Sequence, residues 1–228
     1  MIKLYLFDIE GTTTDINFVH KVLFPYSSEA MEKFVLEHQE TPAVKSAIDE
    51  VKKTVKEEEN KDLGLKEIIN QLLFWIKEDR KHPALKELQG LIWNNGYINN
   101  HFKGHVYPDV QPFFKKILTA GFKVGIYSSG SVKAQKLIFG YSSEGDLTPL
   151  ISWYFDTKVG GKREKASYEK IASEVNLKPE EIHFFSDITE ELKAAQTAGM
   201  SVTQVARDNN PKSEFNSISS FHSYMERI

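Results

Sequence analysis

Four short polar segments of this chain carry the residue types that phosphoryl transfer requires. Asp8 and Glu10 stand two residues apart near the start, and Ser128, Lys162 and Asp187 follow in that order. Transfer of a phosphoryl group needs an oxygen nucleophile, positive charge on the phosphate oxygens, hydrogen-bond donors and an acid/base for the leaving and attacking oxygens. The sequence therefore suggests one site built from four distant segments.

Each requirement has a candidate residue. The Asp8 carboxylate is the candidate nucleophile, and Asp8 and Asp187 can share Mg²⁺, which takes carboxylates, backbone carbonyls and water. Glu10 lies on the same side of an extended chain as Asp8, so it can protonate the leaving oxygen and then activate the water that cleaves the acyl-phosphate. Ser128 and the amides after it can donate to phosphate oxygens, and Lys162 supplies a point charge.

Short apolar runs precede these polar residues, as expected of buried parallel strands. Open α/β sheets bind ligands at the carboxyl ends of their strands. Helical periodicities separate the runs, so we predict an α/β fold with a doubly wound, Rossmann-like parallel sheet. The predicted strands are residues 2–7, 122–127, 153–155, 182–185 and 200–206.

The strand signal disappears between residues 16 and 104, where the pattern indicates about four helices. Two of them begin at proline, after Thr41 and after His82. We therefore predict a core domain formed by residues 1–15 and 105–228, with an all-helical cap at residues 16–104 inserted after the first strand.

Composition limits the possible functions. The chain has 228 residues, enough for one domain with an insertion, and a formal net charge of -3, which gives no field for nucleic acid. It has no cysteine, so disulfides, thiolate metal sites and cysteine nucleophiles are excluded. The apolar run at residues 2–7 is too short for a signal peptide or a membrane span. We expect a cytoplasmic enzyme without a membrane or nucleic-acid partner.

The ordered motifs resemble those of the haloacid dehalogenase superfamily of aspartyl-phosphate phosphatases. The resemblance rests on D-I-E-G-T at residues 8–12, the serine that closes a strand at Ser128, Lys162, and S-D with a following acid at residues 186–191. One position departs from the common pattern. Phosphatases of the superfamily usually have aspartate two residues after the nucleophile, whereas this chain has Glu10, which is about one methylene longer.

Within the superfamily the chain is most similar to the enolase-phosphatases of methionine salvage. The glutamate variant is accompanied by L-F-P-Y at residues 23–26, D-R-K at 79–81, Y-S-S-G-S-V-K-A-Q-K-L at 127–137 and F-D-T-K-V-G-G-K at 155–162. The resemblance implies a monomer with one Mg²⁺ per chain that enolises 2,3-diketo-5-methylthiopentyl-1-phosphate and dephosphorylates it to the acireductone. It also implies roles for individual residues: Asp8 and Glu10 catalytic; Asp8, Glu10 and Asp187 at the metal; Ser128, Ser129 and Lys162 at the substrate.

Several alternatives remain open from the sequence. The base for enolisation is Glu10 or His20, although a partly buried structural role beside Phe18 is the favoured interpretation of His20. Glu10 could reach the metal through its side chain or its backbone carbonyl. A general small-molecule phosphatase of the superfamily is the second functional hypothesis. A receiver-type signalling module fits less well because its accepting aspartate follows a later strand. A dehalogenase would use the same nucleophile without a divalent metal.

Overall fold

The computed structural model describes residues 1–207 and 213–228, and within them one parallel sheet of six strands confirms the predicted fold class. The strands are β1 (Leu4–Phe7), β2 (Lys123–Tyr127), β3 (Trp153–Phe155), β4 (Ile182–Ser186), β5 (Ser201–Val205) and β6 (Ser217–Ile218). They lie in the order β3-β2-β1-β4-β5-β6, and every neighbouring pair is parallel. Strand β6 was not predicted because two residues carry no usable alternation.

The central position of β1 explains its uninterrupted apolar sequence. All four of its residues are buried, since helices cover both faces of a doubly wound sheet. The register pairs Phe7 with Ile126 of β2 and with Phe185 of β4. These three strands therefore end at the same level, and the residues that follow them emerge at one edge of the sheet.

The helices around the sheet follow the predicted periodicities. The helix with apolar residues at Val110, Phe113, Phe114 and Ile117 buries all four, and Gly121 follows it with a φ of +85°, a conformation that favours glycine. The segment from residue 165 also forms a helix. In the α/β unit the helices are α1 (Ile16–Phe18), α6 (Val110–Thr119), α7 (Val132–Gly140), α8 (Lys165–Glu174) and α9 (Thr189–Thr197).

Residue contacts divide the chain into two compact units, one formed by Met1–Phe18 with Lys103–Ile228 and the other by Val19–Phe102. The second unit, all of which is described, is helical. As predicted, two of its helices begin with proline at the first turn. Its long helices are α2 (Phe24–His38), α3 (Pro42–Glu59), α4 (Leu65–Lys77) and α5 (Pro83–Ile98). The role of this unit as an inserted cap remains a prediction.

The helical unit holds a core of its own. Leu72 and Trp75 of α4 pack with Val51 of α3 and Leu88 of α5, and all four side chains are buried. A core of this kind gives the unit a stabilising contribution that does not depend on any polar site. Nowhere in residues 1–207 and 213–228 is a helix both long enough and apolar enough to cross a bilayer.

Candidate active site

The nucleophile candidate Asp8 follows β1 and is almost completely buried, with 2% of its surface exposed. Its amide donates to the carbonyl of Phe185 at 2.9 Å, and its carbonyl accepts from the Thr13 hydroxyl at 3.1 Å. The loop then turns at Gly11, whose φ is +76°. A Cβ there would lie 2.4 Å from Oδ2 of Asp187, so the Asp187 carboxylate lies directly against the backbone of this loop. Glycine is required at this position for both reasons.

Lys162 connects two acids that come from different strand ends. Its ammonium group pairs with Oδ1 of Asp8 and lies 2.8 Å from Oε2 of Glu191. Only 10% of the Lys162 side chain is exposed. Glu191 is itself buried and accepts a hydrogen bond from the hydroxyl of Ser186 at 2.9 Å. The lysine is thus held in a fixed place beside Asp8.

Ser128 and Glu10 meet at the second strand end. The Ser128 hydroxyl donates to Oε2 of Glu10 at 3.2 Å and accepts from the amide of Gly130 at 3.0 Å. The helix that follows is capped by Ser131, whose hydroxyl accepts from the amide of Ala134 at 3.3 Å. Ser128 is therefore not a helix cap, and its buried hydroxyl faces the acid/base candidate. Ser129 is exposed beside it.

The site concentrates negative charge. Burial raises the pKa of Asp8 well above its ordinary value, and Lys162 opposes this shift while the neighbouring acids add to it. Burial, followed by the charge of Glu191, raises the pKa of Asp187 to about 6. Burial disfavours a charged lysine, yet Asp8 and Glu191 raise the pKa of Lys162. Four carboxylates, those of Asp8, Glu10, Asp187 and Glu191, therefore share one lysine.

This excess of carboxylate fits a divalent cation. A cation among the acids would lower the pKa of Asp8 and keep it ionised, as a nucleophile requires. In the described part of the chain, no three histidine, aspartate or glutamate side chains form a ready-made metal-ligand cluster. Mg²⁺ needs no such cluster, since it commonly binds one or two carboxylates and keeps several waters. Asp8 and Asp187, with a backbone carbonyl, are a candidate donor set of that kind.

A second set of residues holds the nucleophile loop from outside the site. The guanidinium of Arg207 donates to the Thr12 carbonyl at 3.2 and 3.1 Å and forms a two-pronged pair with Asp109 at 2.7 and 3.0 Å. Burial opposes ionisation of Asp109, but the hydrogen bonds from Arg207 and Ser220 lower its pKa. The pair is therefore charged and ties the loop to two other segments.

The predicted site residues have different surroundings in the structure. Lys162 contacts Asp8, Ser128 contacts Glu10, and Asp187 lies against the loop of Asp8. His20 is exposed, and its ring packs edge-on against Phe24 in the helical unit, so our interpretation of it as a partly buried residue was wrong.

Sequence reasoning did not assign a role to Glu191. The signal was present, because Glu190 and Glu191 both stand in the first turn of α9. A helix turns about 100° per residue, so the two acids face different directions. Glu190 is exposed, whereas Glu191 is buried against Lys162.

Comparisons with known proteins agree with this geometry. The model of the haloacid dehalogenase-like hydrolases matches residues 2–199. The chain is 47% identical to the enolase-phosphatase E1 of Aquifex aeolicus, covering 97% of this chain and 98% of the relative. It is 50% identical to the enzyme of the same name from Sulfurihydrogenibium sp., covering 91% and 89%. The chain belongs to the enolase-phosphatase E1 family of haloacid dehalogenase-like hydrolases. It is therefore an enzyme.

Solved structures of other proteins superimpose on this chain. The UTR4 protein of Saccharomyces cerevisiae superimposes with a TM-score of 0.81 at 32% identity, over 98% of this chain and 100% of the yeast chain. A dehalogenase superimposes with a TM-score of 0.61 at 17% identity, over 100% of this chain and 97% of that one, and shares the fold alone. The fold of this chain thus also occurs in a dehalogenase of low sequence identity.

Proposed function

We propose that this enolase-phosphatase E1 family member uses Asp8 as the nucleophile that dephosphorylates 2,3-diketo-5-methylthiopentyl-1-phosphate after enolising it, giving the acireductone. One observation carries the proposal: Lys162 pairs with the buried carboxylate of Asp8, while Ser128 donates to Glu10 in the same unit. Nucleophile, cation, donor and acid/base are the four parts that phosphoryl transfer requires.

The first dephosphorylation step forms a bond between an Asp8 oxygen and phosphorus. The bond between phosphorus and the ester oxygen of the substrate breaks, and Glu10 donates a proton to that leaving oxygen. Lys162 and the Ser128 hydroxyl hold the phosphoryl oxygens as their charge develops. The product is an aspartyl-phosphate and the released enol.

The second step returns the enzyme to its starting state. Glu10, now ionised, takes a proton from a water molecule, and the water oxygen bonds to phosphorus. The bond between phosphorus and Asp8 breaks, which releases inorganic phosphate and regenerates the carboxylate. Glu10 serves both steps because the proton it gives to the leaving oxygen in the first step is replaced by the proton it takes from water in the second.

Enolisation precedes these steps. A base removes a proton from the carbon next to a carbonyl and keeps it, while a proton from solvent adds to the carbonyl oxygen to give the enol. We assign the base to Glu10, which Ser128 holds in the site; His20 in the helical unit is the competing base. Glu10→Gln and His20→Gln separate the two, because the base variant abolishes enol formation in single turnovers.

We assign the metal to Asp8, Asp187 and the backbone carbonyl of Glu10, since the Glu10 side chain is engaged by Ser128. Bound Mg²⁺ would neutralise the acids and the phosphate so that an anionic carboxylate can approach an anionic phosphorus centre. We propose one Mg²⁺ per chain, a monomer, and a cytoplasmic location, which agrees with a chain that contains no cysteine. Ser129 is assigned to substrate binding through its amide.

The deciding experiment supplies the diketo phosphate and a set of simple phosphate monoesters to the pure protein. Enol is followed optically and free phosphate chemically. We expect enol to appear before phosphate, EDTA to stop turnover, and Mg²⁺ to restore it. Phosphate release from simple monoesters alone would support a general phosphatase instead. Turnover that survives EDTA would overturn the assignment of a divalent metal.

A further inference from the structure

Three consecutive carbonyl groups in the segment that carries Lys162 each accept a hydrogen bond from a different hydroxyl. Tyr127 donates to the carbonyl of Gly160 at 3.0 Å, and Ser167 donates to that of Gly161 at 2.7 Å. Tyr168 donates to the carbonyl of Lys162 itself at 2.6 Å. We call Tyr127, Ser167 and Tyr168 the hydroxyl cradle.

The cradle is rigid. Tyr127 ends β2, and Ser167 and Tyr168 lie in the first turn of α8, so a strand and a helix hold the segment from two sides. All three side chains are buried, and the two tyrosine rings pack edge to face with centroids 5.5 Å apart. Packed aromatic rings have few accessible rotamers, so their hydroxyls point in fixed directions.

The backbone of the segment is adapted to this contact. Gly160 has a φ of +141°, and a Cβ there would lie 2.2 Å from the hydroxyl oxygen of Ser167. Any side chain at this position would push the segment away from the cradle. Glycine therefore allows the carbonyl groups to approach the three hydroxyls closely.

The side chain that leaves this segment ends in the ammonium group between Asp8 and Glu191. A lysine has a flexible four-carbon stem, and holding it in one rotamer costs conformational entropy. Two carboxylates fix its far end, and the cradle fixes its backbone end. The Tyr127 ring also lies 5.9 Å from the ammonium group, which favours the charged form in this place.

We propose that the hydroxyl cradle positions Lys162, so that its ammonium group lies where the nucleophile and the transferred phosphoryl group need it. Tyr127, Ser167 and Tyr168 are positioning residues, because they act through the backbone of Lys162 and not on the substrate. The expected effect of the cradle on turnover rests on the function proposed above. Its effect on the position of the Lys162 ammonium group does not depend on that function.

Tyr168→Phe is the sharpest test because it removes one hydroxyl and keeps the ring. Tyr224→Phe is the matched control, since Tyr224 is another buried tyrosine of the same unit whose hydroxyl lies 3.4 Å from His183. We expect Tyr168→Phe to lower kcat/KM for the phosphate ester about tenfold, because a small displacement of a charge at the site is costly. The control should lose less than about twofold at a similar melting temperature.

A second readout needs no catalysis. Acetic anhydride acetylates accessible amines, and peptide mass spectrometry reports the rate at Lys162 alone. In the unmodified protein the buried, paired Lys162 should react slowly. We expect its rate to rise about tenfold in Tyr168→Phe and in Ser167→Ala, and to stay unchanged in Tyr224→Phe.

The outcomes separate the two proposals. Faster acetylation of Lys162 in the cradle variants supports the cradle even if the protein hydrolyses no phosphate ester, a result that would refute only the proposed function. Equal acetylation in Tyr168→Phe and Tyr224→Phe would overturn the cradle. The cradle would also be overturned if Tyr168→Phe and Tyr224→Phe lost turnover equally while having equal melting temperatures. The cradle hydroxyls would then serve only the stability of the fold.

Discussion

The two units of this chain use buried polar groups differently. The helical unit buries only three polar side chains, Ser27, His82 and Gln89, in residues 19–102, all of which are described. The α/β unit buries several acids, among them Asp8, Asp109 and Glu191. Burying a charge costs several kcal/mol unless it is paired. Burial of charged groups therefore lowers the stability of the α/β unit, whereas the helical unit is built from apolar contacts.

Two buried polar side chains of the helical unit, Ser27 and His82, find their hydrogen-bond partners within that unit. The Ser27 hydroxyl donates to the carbonyl of Phe24 at 2.9 Å, one turn away in the same helix. His82 contacts Thr54 at 2.9 Å and accepts from the amide of Ala84 at 3.2 Å. By contrast, Lys162 pairs with Asp8, which lies 154 residues away in the sequence. Buried charges that lie far apart in the sequence thus pair in the α/β unit, both at the candidate site and between Asp109 and Arg207.

The largest effect is expected from Asp8→Asn. Turnover should fall at least about 10³-fold, because the amide is neither a nucleophile nor a good metal ligand. The melting temperature should not fall, since a buried carboxylate whose pKa burial raises is replaced by a neutral group of the same shape. Ser27→Ala, which removes a buried hydroxyl of the helical unit, is the matched control and should keep activity. Full activity in a sample that mass spectrometry shows to contain only the Asp8→Asn variant would refute the nucleophile assignment.

Leu72→Ala should lower the stability of the protein, whereas Asp8→Asn should lower its turnover. Leu72 is fully buried in the core of the helical unit, so the truncation should lower the free energy of unfolding by about 2–5 kcal/mol. Phe74→Ala removes a larger side chain that is 55% exposed, and it should cost less than about 1 kcal/mol. Urea unfolding measures both. A similar cost for the two variants would contradict the apolar core described for this unit.

Glu10→Gln tests the acid/base within the charged site. With an aryl phosphate, which needs neither enolisation nor a protonated leaving oxygen, attack by Asp8 should still occur, but hydrolysis of the aspartyl-phosphate should slow about 100-fold because the water loses its base. Phosphoenzyme should therefore accumulate in rapid-quench experiments with Glu10→Gln and not with the unmodified protein. Equal slowing of formation and hydrolysis would count against Glu10 as the base that activates water.

The stability of the α/β unit should also depend on pH. His183 is buried between Ser201 and Thr203, and burial lowers its pKa to about 3. Below about pH 6.5 the unfolded chain gains a proton that the folded chain does not, so stability should fall by about 1.4 kcal/mol per pH unit until about pH 3. Asp187, whose pKa is raised to about 6, acts in the opposite direction.

A difference measurement isolates the histidine. Urea unfolding of the unmodified protein and of His183→Asn is compared between about pH 7 and about pH 5. The variant keeps a polar group but has no proton to gain, so its stability should depend less on pH. Identical slopes for the two proteins would remove His183 as the source of acid sensitivity.

Much of the site could be predicted because its residues follow recognisable strands. Asp8, Ser128 and Asp187 each stand at the end of an apolar run, and parallel strands bring such ends together. The cradle could not be predicted in this way. Tyr127, Ser167 and Tyr168 occupy ordinary apolar and helical positions, and nothing in their spacing indicates that their hydroxyls meet three adjacent carbonyls.

The parallel sheet, the helical segment after the first strand and the residue types at the strand ends can be predicted from the sequence alone, because hydrophobic burial sets the local periodicity of strands and helices. Tertiary packing is what turns Glu191 toward Lys162 and Glu190 toward solvent, and what lets Arg207, paired with Asp109, donate to the Thr12 carbonyl. These contacts join residues far apart in the chain. Their partners are set by how strands and helices pack, which no local pattern contains.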